Sequence, residues 1–194
     1  MSVTPNLDRL TGRLIERWPE HASYVAKSLE GRGPRVLAVS DEAARLALVL
    51  AQRTEGGLDR LIDDYRYFCE KVLLPEELWF RRNGRYRLSS FADAERECYA
   101  NPAFMSMNMN GLLISNILYS NHAHSLASYV DDYLPQLPDG AAHLEIGPGH
   151  GLLLLFAARR EAIGRLEGWD VSPTSIAHCR EVLAALGVER EVAL

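Results

Sequence analysis

Residues 142–170, AHLEIGPGHGLLLLFAARREAIGRLEGWD, decide how the chain is read. A short apolar run with Leu144 and Ile146 stops at the turn Gly147-Pro148-Gly149-His150-Gly151. A helix-like apolar run covers Leu152 to Ala158, and a second strand-like run ends at Asp170. Strand, glycine turn, helix, strand and acid is the order used by nucleotide-binding α/β units. Glycines let the backbone turn tightly and approach a ligand closely, and the helix start offers free N–H groups. Asp170 lies 19 positions after Gly151, close to the roughly 20 expected for an acid that binds ribose hydroxyls. The bland alternative is an ordinary strand-to-helix turn with no ligand.

The glycine spacing chooses a cofactor class. The dinucleotide pattern G-x-G-x-x-G would need a small residue at position 152, where Leu152 stands. What stands instead is Glu145-x-Gly147-x-Gly149-x-Gly151, which resembles the first motif of class I S-adenosylmethionine-dependent methyltransferases. Gly168-Trp169-Asp170-Val171-Ser172-Pro173, followed by Ile176, resembles the second. The resemblance implies S-adenosylmethionine as cofactor. Backbone around Gly147, Pro148, Gly149 and Gly151 would pass beneath its methionine part. Glu145 would order the loop or receive the amino group, and Asp170, with Val171 beside it, would accept the ribose hydroxyls.

Composition bounds the rest. The 194 residues are 47% hydrophobic, enough for a real core, and carry a net charge of −5. An acidic balance argues against a nucleic-acid binder. Cys69, Cys98 and Cys179 form no C-x-x-C pair, which fits a reducing cytosol and gives no zinc or other metal site. No apolar run reaches the 18 or so residues of a membrane span, and MSVTPNLDRL lacks the parts of a signal peptide. The expectation is a cytoplasmic protein with neither nucleic acid nor membrane as partner.

Residues 1 to about 75 read as helices. Pro5 opens the first, with Leu7, Leu10 and Leu14 on one face, ending near Trp18-Pro19. Ala22 to Leu29 form a second, Ser40 caps a third over an apolar run from Ala44 to Leu50, and Leu58 to Val72 mark a fourth. Leu78 to Arg82 and Arg85 to Leu88 then flank Asn83-Gly84, a strong signal for a two-residue hairpin. Helices followed by such a wing resemble the winged-helix-like N-terminal domain of small-molecule O-methyltransferases, which serves dimerisation and covers the substrate. Arg81, Arg82, Arg85 and Arg87 allow DNA binding by the wing or a charge-guarded edge; the acidic chain favours the edge.

Ser90 caps a helix through Ala100, and Asn101-Pro102 starts another. The stretch Phe104 to Leu134 carries Met105, Met107 and Met109 with several Asn and His, divided at Gly111 and at Ser120 to His124. In the family it lies over the cofactor and lines the substrate pocket. The methionines suit an organic substrate or a helix core equally. His122 and His124 diverge on a helix, and either is a weak candidate for a base. Pro135, Pro138 and Gly140 make a connector. After Asp170, Ser172 and Pro173 open a helix ended by Gly187, and Glu191 to Leu194 begin a third strand.

The fold expected is α/β: a helical, winged-helix-like domain over 1–101, connecting helices over 102–140, and the first half of a Rossmann-like cofactor-binding domain over 141–194. The class has about seven strands, so the resemblance covers two and a half of them. The missing strands are expected from a complementing polypeptide or a homodimer. The function implied is methyl transfer to a small molecule, most readily to oxygen. The alternative is a non-catalytic scaffold or regulatory subunit of the same fold.

Overall fold

The computed structural model describes residues 3–194 and is mostly helical, with one two-stranded parallel sheet. Helix α1 (Pro5–Arg17) has Pro5 in its first turn and buries Leu7, Leu10 and Leu14. Proline suits that position because its missing N–H would have had no intrahelical partner. Helix α2 spans Ala22–Leu29 and α3 spans Pro34–Ala51. Ser40 does not cap α3: Gly33-Pro34 starts the helix about two turns earlier, and Ser40 is buried within it. Asp41 instead caps a neighbour. Its carboxylate accepts the N–H groups of Asn6 (2.8 Å) and Leu7 (2.9 Å) at the open end of α1.

Helix α4 (Gly57–Tyr67) runs through a π-helical segment, Phe68–Leu73, into α5 (Leu74–Asn83). Pro75 explains the change of winding. Its nitrogen cannot donate to the carbonyl four residues back, and the N–H of Leu74 reaches the carbonyl of Cys69, five back. The same device recurs at Tyr129–Tyr133, where the N–H of Leu134 reaches Tyr129 just ahead of Pro135.

The expected hairpin is absent. Residues 78–83 are helix, and Gly84 (φ 64°) is the left-handed residue that stops it, its N–H bonded to the Phe80 carbonyl at 2.8 Å. Asn-Gly serves a helix end as well as a type I′ turn. Glu76 and Glu77 in the first turn and Arg81 and Arg82 in the last suit a helix dipole. The arginines are also less free than their run suggested: Arg81 pairs with Glu77 (2.6 Å), and Arg87 with Glu76 (2.7 Å) and Glu97 (3.0 Å). There is no wing in residues 78–88.

Helix α6 (Phe91–Ala94), capped by Ser90, winds on as a π segment over Glu95–Tyr99. Helix α7 (Pro102–Leu118) is capped by Asn101 and packs against α3 and α4. Gly111 does not divide it. A Cβ there would stand 2.6 Å from Cβ of Phe68, so the glycine lets two helices approach closely. The break falls at Tyr119, ahead of α8 (Ser120–Ser128) and the short α9 (Leu134–Gln136). Arg32 ties α2 to the end of α7: its buried guanidinium donates to the carbonyls of Ile117 (2.9 Å) and Leu118 (2.6 Å) and to Ser40 Oγ (2.9 Å).

Strand β1 (Ala141–Ile146), α10 (Leu152–Ala158), β2 (Ile163–Trp169) and α11 (Pro173–Ala185) close the chain, with β1 and β2 parallel and Glu145 opposite Gly168. Ala193 bridges the outer side of β2, exchanging backbone bonds with Leu166 and Gly168. One apolar cluster runs from Leu7 and Leu46 through Ile114 to Leu155 and Leu183, so helices and sheet share a core. The other sheet face is open: Ile146 is 71% exposed, and Trp169 and Val171 are 59% exposed. Among the described residues no strand pairs the far edge of β1, and no helix is long and apolar enough to cross a membrane.

Candidate cofactor site

Strand β1 ends in a turn whose three glycines are all left-handed: Gly147 at φ 71°, Gly149 at 52° and Gly151 at 75°. Each therefore needs the freedom that only glycine has cheaply, but their surroundings differ. A Cβ on Gly147 would meet nothing within 4 Å, whereas one on Gly151 would lie 2.8 Å from the Cys179 sulfur in α11. Gly149 is intermediate, with the Met109 sulfur of α7 at 3.3 Å. Gly151 is thus a packing glycine, and Gly147 faces open space. The turn is tied down by Gly147 N–H to the Trp169 carbonyl and Gly151 N–H to the Pro148 carbonyl, both 2.7 Å.

His150 is buried inside the turn. Its Nδ1 accepts the N–H of Leu152 (3.2 Å) at the start of α10, and its Nε2 lies 2.9 Å from the Asn116 side-chain amide of α7. Burial, with His178 nearby, lowers its pKa to about 4, so the ring is neutral. A neutral ring is what its position requires, since a free nitrogen must be left to accept the helix-end N–H.

Glu145 stands two residues before the turn on β1. Burial raises its pKa to about 7, opposed by a hydrogen bond from backbone of Leu154 in α10. Its Oε2 is buried and has no hydrogen-bond partner. A buried carboxylate oxygen without a donor is costly, which marks this as a place where a donor from outside would be welcome.

Asp170 follows the end of β2. One oxygen accepts the Ser172 N–H (2.8 Å) and the other the Ser175 hydroxyl (2.7 Å). A carboxylate has about four acceptor positions, so two remain. Ser172 caps α11 through the Ser175 N–H and donates to the Tyr99 carbonyl (2.9 Å), bringing the segment after α6 to the site. Tyr99, Ile146, Gly147, Trp169, Asp170 and Val171 line a cleft of about 440 Å³ at the carboxyl ends of both strands.

The structure therefore brings Gly147, Asp170 and Val171 to one cleft, with Pro148, Gly149 and Gly151 in the adjoining turn and Glu145 behind it. His122 and His124 stand elsewhere, on α8. His124 is exposed and lies 2.7 Å from the Ser120 carbonyl; His122 packs against Tyr119 with ring centres 5.2 Å apart. Met105, Met107 and Met109 are all buried, and the Met109 sulfur lies against Gly149 of the turn. Sequence reasoning did not place Tyr99, Asn116, Ser175 or Trp169 at the site. Among the described residues no three His, Cys, Asp or Glu side chains are grouped to hold a metal. Comparison with protein-family models, with curated proteins and with solved structures finds no match.

Proposed function

We propose that the chain binds S-adenosylmethionine at the β1–α10 turn and serves methyl transfer to a small organic molecule, most readily to an oxygen. The observation that carries this reading is the cleft at the carboxyl ends of two parallel strands, with left-handed, unobstructed Gly147 on one side and an acid with spare acceptor positions, Asp170, on the other. Parallel α/β sheets bind nucleotides at that end. The residues fit the cofactor in charge as well. Gly147 leaves room for ligand against backbone, Asp170 can take ribose hydroxyls, and the orphan Oε2 of Glu145 can receive an ammonium group or a water that bridges to it.

When bound, the cofactor supplies a methyl group already activated by its sulfonium. The chain's own task is then to hold and align. Ser172 and Ser175 fix the Asp170 carboxylate, and His150 fixes the turn against α7. Residues 141–194 are the cofactor-binding part in this reading, with 1–101 and the connecting helices 102–140 as cover.

The open sheet face (Ile146, Trp169, Val171) and the unpaired edge of β1 favour a second polypeptide chain or a second copy that completes the sheet, since contiguous exposed apolar surface marks interaction sites. Light scattering on the pure chain, paired with a methyl-transfer assay over a panel of phenols and hydroxy acids, tests this. Turnover confined to an associated state supports the reading. Cofactor binding without turnover in any assembly would favour the scaffold alternative. Turnover by a lone monomer would remove the need for a partner.

A further inference from the structure

A second cavity lies in the helical part. It is about 570 Å³, bounded by the turn ahead of α2, the π segment after α4, α5 and the end of α7. That volume is within the usual range for small-molecule sites. Met109, which touches the glycine turn, and Tyr119, which lines this cavity, are ten residues apart along α7, or about 15 Å at 1.5 Å per residue. The two sites are separate.

One wall of the cavity is built from hydrogen-bonding groups held in an aromatic cluster. His21 is sandwiched between Trp18 (ring centres 3.9 Å apart) and Tyr24 (4.7 Å), and Tyr119 meets Tyr24 edge-on at 5.7 Å. His21 Nε2 lies 3.0 Å from the Tyr65 hydroxyl, which satisfies that pair. The Tyr119 hydroxyl accepts from Tyr65 and has the Cys69 sulfur at 3.4 Å, a weak partner that leaves the phenolic proton easily drawn away. The Tyr24 hydroxyl has no hydrogen-bond partner among the described residues. Two phenolic protons are therefore available to something in the cavity. The outer walls are apolar and open: Leu74, Phe80 and Tyr86 are all exposed, with Phe80 and Tyr86 rings 5.0 Å apart.

Charge is conspicuously unavailable. Burial lowers the pKa of His21 and raises that of Cys69, so the ring is neutral and the thiol protonated. The two acids at the mouth are already paired, Glu76 with Arg87 and Glu77 with Arg81. Nothing here would hold an anion or a cation against its hydration. Flat apolar walls, neutral donors and no free charge select one kind of occupant.

We propose that this cavity is a binding site for a neutral, planar aromatic compound bearing a carbonyl or ether oxygen, which accepts from Tyr119 and Tyr24 while its rings lie against Phe80 and Tyr86. This goes beyond the methyl-transfer reading and does not depend on it.

Calorimetric titration of the full chain with coumarin, an uncharged bicyclic lactone, tests the proposal, with coumarin-3-carboxylate as the charged comparison. Coumarin is expected to bind one to one and the carboxylate at least tenfold more weakly. Tyr119→Phe should weaken coumarin about five- to tenfold, the loss of one hydrogen bond, and Phe80→Ala should abolish binding while melting normally, because Phe80 is exposed. Gly147→Ala, in the other cleft, should leave coumarin binding unchanged. Absence of coumarin binding, equal binding of the carboxylate, or loss of binding in Gly147→Ala would each overturn the proposal. So would self-association of the chain that Phe80→Ala reverses, since a second copy would then be the occupant.

Discussion

Glu145 gives the sharpest test of how the turn is built. Its carboxyl has an ordinary pKa of 4.5 and a folded value of about 7, raised by burial. An acid raised in this way favours the fold only while protonated. Its contribution is complete below pH 4.5 and is lost as pH rises through 7. The difference between 4.5 and 7 corresponds to about 3 kcal/mol at 1.36 kcal/mol per pH unit. Glu145→Gln keeps the shape and cannot ionise, so it removes this loss and leaves every other titration in place. Urea unfolding of both proteins from pH 4.5 to 8 isolates the effect as a difference. Relative to wild type, the variant should gain about 3 kcal/mol across that interval, with most of the gain between pH 5 and 7. A difference that stays constant within about 0.5 kcal/mol would show that Glu145 is solvated or paired in the folded chain, and the orphan-oxygen argument would go with it.

Further expectations rest on neighbouring residues. His150, held near pKa 4 against an ordinary 6.5, acts with the opposite sign: wild type should lose about 3 kcal/mol relative to His150→Asn as pH falls from 7 to 4, read by the same unfolding series. Gly147→Ala places its Cβ in open space at φ 71°, so thermal melting should report only the left-handed strain of about 1 kcal/mol while the stabilisation given by S-adenosylmethionine disappears. Gly111→Ala would set a Cβ 2.6 Å from that of Phe68; an unfolding loss of about 2 kcal/mol is expected, and an unchanged midpoint would mean that α7 and the π segment after α4 are not in close contact.

Much of this architecture can be read without coordinates where a local signal has a single meaning. Pro5, Ser90, Asn101 and Ser172-Pro173 mark helix starts, and all four open helices. The glycine turn and Asp170 likewise come together at the ends of parallel strands. Local signals fail where one pair of residues serves two geometries. Asn83-Gly84 suits a hairpin or a helix end, and the charges on either side, not the pair itself, decide for the helix. Ser40-Asp41 looks like a cap and is one only across space, for α1. The environments of His150 and Glu145 lay beyond reach because they depend on what α7 and α10 bring to the turn, Asn116 for one and the Leu154 backbone for the other. Sheet sidedness was not legible in the sequence either. His143 is buried, beside Tyr129 at 3.1 Å, while apolar Leu144 and Ile146 face outward.

The central claim, that the cleft between Gly147 and Asp170 holds S-adenosylmethionine, is tested most directly by titrating that compound into the wild-type chain and into Asp170→Ala in one calorimeter. The account predicts one-to-one binding by wild type. It also predicts that affinity in the variant falls by at least about a hundredfold, since two hydrogen bonds to a charged acceptor, each worth about 1.5–3 kcal/mol, are lost. Equal affinity in the two proteins, or no heat of binding to wild type, would contradict it.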